Sequence, residues 1–224
     1  MISILYEDPS ILIVDKPAGM PTDATVDPHR PSVISCLRSQ KNDAFCVHRL
    51  DKDTTGVLVV AKNKEAQTVL NRTLSNHQWR KLYLAVVRGR PEFLEYRRQS
   101  YLAVKKSQGT PHKTVEVRSG GKKAITEFFT VVCGQDESTL CCSLLTGRTH
   151  QVRVHCAALG LPVLGDRIYG PTTESPGGLF LFAWQVGFPH PVSGQTVRVI
   201  APPPKSWCRF LPHDLSADTL WNRA

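Results

Sequence analysis

The sequence predicts an α+β fold, with a central mixed and mainly antiparallel sheet in two lobes, flanking helices and a cleft between the lobes. Short runs rich in β-branched and aromatic residues, bounded by Gly and Pro, predict the strands. Segments that repeat apolar residues at helical spacing predict the helices. With 224 residues the chain is long enough to bury a full core.

The first half of the chain is predicted to alternate strands with helices. The turn 15–19 contains Pro17 and Gly19 and ends the first strand, while Asn63 is placed to cap the second helix. Residues 88–113 are polar and basic without periodicity, so no element is predicted there. The predicted elements are a strand over 11–14, a helix over 32–40, a strand over 57–61, a helix over 63–76 and a strand over 81–87.

The second half is predicted to be a meander of strands, one helix and two closing strands. Thr149 is expected to cap the helix, which ends at Gly160. The predicted elements are strands over 114–118, 124–132 and 138–145, a helix over 149–160, and strands over 179–188 and 196–201. We predict one catalytic domain over residues 1–211 and a C-terminal tail over 212–224.

The composition of the chain indicates which kind of partner and which cellular compartment to expect. A net charge of +9 favours a polyanionic partner, although a merely basic surface gives the same number. Seven scattered cysteines without a Cys-x-x-Cys pair support neither a disulfide framework nor a zinc site, so we expect reduced thiols in the cytoplasm. The sequence shows no signal-peptide pattern and no membrane-length apolar run. We expect a monomer.

Residues 48–56 place five ionisable groups within six positions, directly before a strand that must be buried. A second basic segment, 148–155, lies nearly a hundred residues later. If the two segments meet, Arg148 can clamp Asp51, hold its carboxylate ionised and leave it as a nucleophile or a general base. A structural Asp–Arg pair that ties two loops is the alternative, but the basic flank favours chemistry.

Four segments in order resemble the RluA family of pseudouridine synthases. His48-Arg49-Leu50-Asp51 followed by Thr54-Thr55-Gly56 is similar to the signature around that family's catalytic aspartate. Ile11 to Met20 resembles its first motif, Lys81 to Ala85 its tyrosine strand, and Leu145 to His155 its late arginine motif. Together the matching segments and the fold they imply cover the chain from about residue 5 to residue 201.

The resemblance implies an isomerase that flips uridine out of RNA and rejoins its uracil through C5, without cofactor or metal. It implies that Asp51 acts at the uridine, that Tyr83 stacks on the flipped base and that Arg148 pairs with Asp51. Arg49 is expected to enter the RNA where the extruded nucleotide had been. The expected RNA-binding set is Arg49, His48, Lys81, Gln151 and Arg153, with His48 and Gln151 as supports of the site.

Two features depart from the family pattern. The first core strand begins by Ile11, so no N-terminal S4-like RNA-binding domain is expected and the catalytic domain itself must bind the rRNA or tRNA. Leu181-Phe182-Ala183 stands where many relatives have Leu-His-Ala, which alters packing or an RNA contact. Residues 88–113 are open to two interpretations, an RNA-facing excursion or a solvated loop.

Two rival functions differ in chemistry. An RNA-binding module of the same fold would lack turnover, which the intact Asp51, Tyr83 and Arg148 argue against. A glycosidase-like hydrolase needs a second carboxylate, and Asp53, like Lys52, is expected to face solvent. A metal site is not expected, because His150 and His155 miss helical i,i+4 spacing. Lys16 is expected either to approach a phosphate or to be a solvated loop residue.

Overall fold

The structure is a computed structural model that describes residues 2–25, 27, 29–40, 43–105, 113–171 and 177–223. The chain divides into two compact units. The first unit contains Met1–Lys81 and Phe182–Pro203, and the second contains Leu82–Leu181 and Pro204–Ala224.

Both units combine antiparallel strands with a few short helices. The strands are β1 (Ser3–Glu7), β2 (Ile11–Lys16), β3 (Phe45–Cys46), β4 (Thr55–Ala61), β5 (Arg80–Arg88), β6 (Glu95–Lys105), β7 (Lys113–Glu116), β8 (Lys122–Val132), β9 (Glu137–Leu144), β10 (Leu181–Pro189) and β11 (Thr196–Ile200). The helices are α1 (Val33–Ser39), α2 (Lys64–Ser75), α3 (Gln151–Ala158), α4 (Ala217–Arg223) and a 3-10 helix (Lys205–Phe210).

In the first unit the strands run in the order β1-β2-β4-β10, with β3 also on β4 and β11 on β10. The described pairs are antiparallel except β4 with β10. That parallel pair brings Gly56 opposite Ala183, so close that a Cβ at residue 56 would lie 2.2 Å from the Ala183 carbonyl oxygen. Gly56 also has φ +106°, which only glycine adopts readily. The start of β4 therefore requires glycine, and it directly follows the Asp51 loop.

The register of β2 with β4 fixes the other side of that loop. Lys16, the last residue of β2, stands opposite Gly56. Both strands are buried, since β2 is Ile-Leu-Ile-Val and β4 is Val-Leu-Val-Val in its centre. The predicted helix cap is confirmed, because the Asn63 side chain accepts a hydrogen bond from the Ala66 N–H at 2.8 Å.

In the second unit the strands run in the order β5-β9-β8-β6-β7, and the described pairs are antiparallel. The chain from Pro204 onward packs on this unit. Phe210 contacts Phe180 edge to face, and its carbonyl accepts a hydrogen bond from the Thr139 hydroxyl at 2.6 Å. The division into a domain over 1–211 and a tail over 212–224 stays a prediction.

The sequence prediction missed several elements, namely β1, β3, β6, the 3-10 helix and α4. Residues 95–105, within the stretch that was predicted to have no element, form the eleven-residue strand β6. Leu102 is the one residue of this strand that is buried, so apolar alternation is almost absent. Residues 106–112 of the same stretch lie outside the described residues. The strands and helices that were predicted are all present, with ends within about two residues of the prediction, and the α+β class is confirmed.

None of the helices in the described part of the chain is both long enough and apolar enough to cross a membrane.

Candidate active site

The Asp51 loop, residues 50–54, is a tight turn between the buried Leu50 and the start of β4. Leu50 is buried, and its backbone exchanges two hydrogen bonds with the Thr22 hydroxyl, at 3.0 and 3.1 Å. The Thr54 N–H then donates to the Asp51 carbonyl at 3.1 Å. Lys52 and Asp53 at the tip are exposed, which confirms the expectation that they face solvent. The half-buried Asp51 is thus held at the base of the turn.

Lys16 fixes this loop from beneath, and the two expectations for it were both wrong. Its side chain is fully buried, and the ammonium donates to the carbonyls of Pro17, Met20 and Lys52 at 2.7–2.8 Å. An ammonium has three donors, so each of them has an acceptor. Lys16 therefore ties the turn after β2 to the Asp51 loop, 36 residues further along the chain.

Burial lowers the pKa of Lys16 to about 8, although the charges of Asp53 and Asp51 act to raise it. The shift follows from the cost of a charge out of contact with water. Near neutral pH the group still carries its proton, because its pKa lies above 7. A buried cation thus stands under the loop that carries the candidate reactive carboxylate.

His48 supports the loop from its other end. Its Nε2 accepts a hydrogen bond from the Val59 N–H at 3.0 Å, and its ring meets Trp79 edge on at 5.6 Å between centroids. Burial, and then the charge of Lys81, lower the pKa of His48 to about 3. The imidazole is therefore neutral and acts as an acceptor. Arg49, next in the chain, is exposed.

The Arg148 loop lies in the second unit and is fixed by Gln151. The Arg148 N–H donates to Oε1 of Gln151 at 3.1 Å, and the Arg148 Nε donates to the Lys123 carbonyl at 2.9 Å. Gln151 is buried and uses both ends of its amide. Its Oε1 also accepts from the Thr146 hydroxyl at 2.7 Å. Gln151 therefore holds the Arg148 loop, while its role in an active site stays a prediction.

The start of α3 differs from the prediction. Thr149 does not cap it, since the N-cap is His150, with φ +56° and no side-chain cap hydrogen bond. The first six residues, 151–156, are all buried. The apolar Val152 and Cys156 are therefore only part of the buried surface. A helix enclosed on all sides loses the apolar periodicity on which the prediction rested.

The other predicted residues of this unit are more enclosed than an RNA contact would suggest. Tyr83 on β5 is 9% exposed and stands opposite Cys142 of β9. Arg153 is 6% exposed, and its Nε and NH2 donate to the two carboxylate oxygens of Asp166, both at 2.7 Å. This pair lowers the pKa of Asp166 in spite of its burial. A buried bidentate pair of this kind holds α3 in place.

The sequence prediction missed a buried polar relay behind the Arg148 loop. Nε2 of His155 lies 2.9 Å from the Ser100 hydroxyl of β6, and Nδ1 lies 2.9 Å from the Thr126 hydroxyl of β8. Nε2 of Gln151 donates to the same Thr126 oxygen at 2.9 Å and to the Ile125 carbonyl at 2.9 Å. The relay runs from β6 to the amide that holds Arg148. The His155 side of it could have been suspected from a histidine inside a helix of apolar neighbours.

Burial lowers the pKa of His155 to about 4. The ring is thus neutral, with one nitrogen as donor and the other as acceptor.

Asp51 lies in the first unit and Arg148 in the second, so their pairing stays a prediction. Among the described residues no three His, Cys, Asp or Glu side chains are grouped to hold a metal ion.

The chain is similar to known proteins over most of its length. The family model described as RNA pseudouridylate synthase matches residues 10–158. Ribosomal large subunit pseudouridine synthase D of Nitrosomonas europaea is 36% identical over 232 residues, which cover 96% of this chain and 64% of that protein. The protein of the same name from Xylella fastidiosa is 34% identical, and the match covers 94% of this chain and 68% of that protein.

A solved structure agrees with the sequence matches. Human RNA pseudouridylate synthase domain containing 1 superposes with a TM-score of 0.80 at 29% identity, over 100% of this chain and 94% of that one. The chain spans about two thirds of the length of the two bacterial relatives. The family match includes the Asp51 loop, Tyr83 and Arg148. The pseudouridine synthase fold is thereby confirmed, and the chain belongs to the RNA pseudouridylate synthase family, a family of isomerases.

Proposed function

We propose that the chain converts uridine to pseudouridine in RNA, with Asp51 as the reacting carboxylate, Arg148 as its partner and Tyr83 against the uracil ring. The observation that supports this most is the anchoring of the Asp51 loop. Lys16 buries a cation beneath that loop and binds it through the Lys52 carbonyl. A buried charge is costly, and a plain surface turn does not need one.

The proposed reaction is an isomerisation, so its atoms balance within the nucleoside. The bond between N1 of uracil and C1′ of ribose breaks, and a bond between C5 and C1′ forms. C5 loses a proton and N1 gains one, so no oxidant, reductant or water is consumed. The target base must leave its stack before this chemistry, because both N1 and C5 are involved. Asp51 acts either as a nucleophile at the sugar or as a base.

The RNA contacts are assigned by exposure. Arg49 is exposed beside Asp51, and we propose that it fills the place of the flipped nucleotide. Lys81 is half-buried and supplies a cation near His48. His48, Gln151 and Arg153 were predicted to bind RNA, but their polar atoms already bind the protein. We propose that these three residues position the site.

The target is proposed to be rRNA or tRNA, and large-subunit rRNA is the first to test because two relatives carry that name. RNA without stable pairing at the target is favoured, since extruding a base costs less there. We propose a cytoplasmic monomer, in keeping with seven free cysteines. The non-catalytic RNA-binding module is the rival that the following experiment separates.

The experiment incubates the chain with large-subunit rRNA transcripts and maps pseudouridine by carbodiimide-dependent reverse-transcription stops. Asp51→Asn should lower the rate by roughly a thousandfold or more, because it removes a group that reacts or moves a proton. RNA affinity should stay nearly unchanged. Asp53→Asn is the matched control, because it removes an exposed carboxylate from the same loop and should change the rate by less than about threefold.

Three other outcomes count against parts of the proposal. No pseudouridine in rRNA or tRNA from the folded wild-type chain supports the RNA-binding module. Release of free uracil supports the hydrolase. Full activity of Asp51→Asn contradicts the role of Asp51, whatever the RNA.

A further inference from the structure

One side of β6 is open to solvent, while its other side is closed by the second unit. Successive strand residues point to opposite sides. On the closed side Leu102 is buried, Ser100 binds His155, and Arg98 pairs with Glu116 through two hydrogen bonds, at 2.8 and 3.0 Å. On the open side Arg97, Gln99, Tyr101 and Lys105 are exposed, and Ala103 between the last two is half-buried.

Strand pairing extends this open side onto β8. Tyr101 stands directly opposite Lys123, so the two side chains share a face. Tyr101 is 45% exposed, and Lys123 is exposed as well. We call the set Arg97, Tyr101, Lys105 and Lys123 the β6 face. It presents an aromatic ring among three cations.

The β6 face adjoins the candidate active site within the same unit. The carbonyl of Lys123 accepts a hydrogen bond from Nε of Arg148 at 2.9 Å. Tyr101 is therefore one strand away from the backbone group that anchors Arg148. A strand rises about 3.3 Å per residue, so Arg97 and Lys105 lie roughly 13 Å to either side of Tyr101.

The charge around this face is mainly positive. In residues 97–105 and 113–123 there is one acidic residue, Glu116, and it is paired with Arg98. The basic residues of these ranges are Arg97, Arg98, Lys105, Lys113, Arg118, Lys122 and Lys123. Arg97 has a loose contact with Glu127 at 3.7 Å and keeps 59% of its side chain exposed. Such a surface attracts a polyanion.

We infer that the β6 face binds the single-stranded RNA next to the target uridine, with a base stacked on Tyr101 and phosphates on Lys105 and Lys123. An exposed ring among cations suits single strands, because unpaired bases offer their faces for stacking. Duplex RNA presents phosphates but no free base face. This inference rests on the proposed function for the identity of the target, but the binding itself does not require turnover.

The test measures fluorescence anisotropy of a labelled single-stranded 12-mer of uridine and of a 12-base-pair RNA duplex. Tyr101→Val removes the ring and keeps a strand-forming residue. It should weaken binding of the single strand roughly tenfold, whereas Tyr101→Phe keeps the ring and should restore binding. Lys105→Ala should lower the slope of log affinity against log salt by about 0.7, the value for one lost phosphate contact on a single strand.

Matched controls come from the first unit. Tyr6→Val removes a tyrosine that is 38% exposed on β1, and Arg72→Ala removes an exposed cation from α2. Neither should change affinity or the salt slope. Equal effects of Tyr101→Val and Tyr6→Val overturn the inference, and so does tighter binding of the duplex that is insensitive to residue 101.

The same variants separate this inference from the proposed function. If rRNA is modified and Tyr101→Val binds like the wild type, only the inference fails. If no pseudouridine forms but the single strand still binds through Tyr101, the proposed function fails and the β6 face remains a binding surface.

Discussion

The Asp51 loop and the Arg148 loop are each fixed by one buried side chain, but by different physics. Lys16 holds the first with a charged ammonium on three carbonyls. Gln151 holds the second with a neutral amide that both donates and accepts. Hydrogen bonds to a charged group are stronger, but burying the charge costs more.

This difference suggests a division of labour. The buried Lys16 ammonium places a positive charge near Asp51, the proposed reacting carboxylate. The Arg148 loop already carries the positive charge of its own guanidinium. Its anchor therefore only has to hold the loop in position, and the neutral amide of Gln151 does so without adding a charge. The same replacement at both anchors, methionine, tests whether the two loops differ in this way.

The largest effect is expected at the charged anchor. Lys16→Met leaves three buried carbonyls without a donor and should lower the free energy of unfolding by about 3 kcal/mol. The rate constant kcat should fall more than KM rises, because the loop that carries Asp51 loses its support. Urea unfolding and steady-state kinetics on unmodified rRNA transcripts measure both quantities.

Lys52→Met is the control for Lys16, since the Lys52 side chain is exposed and only its carbonyl binds the ammonium. It should change stability by less than about 0.5 kcal/mol. Equal stability of Lys16→Met and the wild type would contradict the role of the buried cation.

A smaller effect is expected at the neutral anchor. Gln151→Met keeps the shape but removes the acceptor for the Arg148 N–H and the donors to β8, which should cost about 2 kcal/mol. RNA affinity should change little, while kcat falls as Arg148 loses its place. Gln78→Met, at an exposed glutamine, is the control. A change in RNA affinity with unchanged kcat would show that Gln151 binds RNA after all.

The smallest effect concerns pH and the relay behind Gln151. The pKa of His155 is lowered from 6.5 to about 4, so between these values the unfolded chain binds a proton that the folded chain does not. Stability from this group is complete above pH 6.5 and is lost as the pH falls toward 4. The loss is at most about 1.4 kcal/mol per pH unit.

Urea unfolding between pH 6.5 and 5 measures this slope. His155→Asn should reduce the slope but not abolish it, because His48 titrates in the same direction. His213→Asn, at an exposed histidine, should leave the slope unchanged. An unchanged slope in His155→Asn would contradict a neutral buried imidazole.

The sequence predicted those parts of the fold whose pattern is local. Asn63 indicates the start of α2 because it is a typical N-cap residue, and the buried runs of β2 and β4 are continuous and apolar. The strand β6 was missed because its closed side is largely polar, with Arg98 and Ser100 bound to partners far along the chain. Alternation of apolar residues, the basis of strand prediction, hardly exists there.

The sequence indicates the motifs of the proposed site and two of its supports, His48 and Gln151, but not the part played by Lys16. Asp51 and Arg148 stand in recognisable segments, whereas the role of Lys16 depends on a carbonyl at residue 52 that no local pattern reveals. Arg153 was assigned to RNA because it is basic and close to Arg148. Its partner Asp166 lies thirteen residues further along the chain, so the pair is visible only in the structure.

The open side of β6 has a consequence for how this chain can diverge. Gly56 leaves no room for any side chain, so that position tolerates no variation. Arg97, Tyr101 and Lys105 contribute little to the core, and substitutions at such exposed positions usually change stability by less than about 0.5 kcal/mol. If the β6 face binds RNA as we propose, selection can alter the RNA preference of descendants at these positions almost without cost to folding, while the proposed catalytic loop stays as it is.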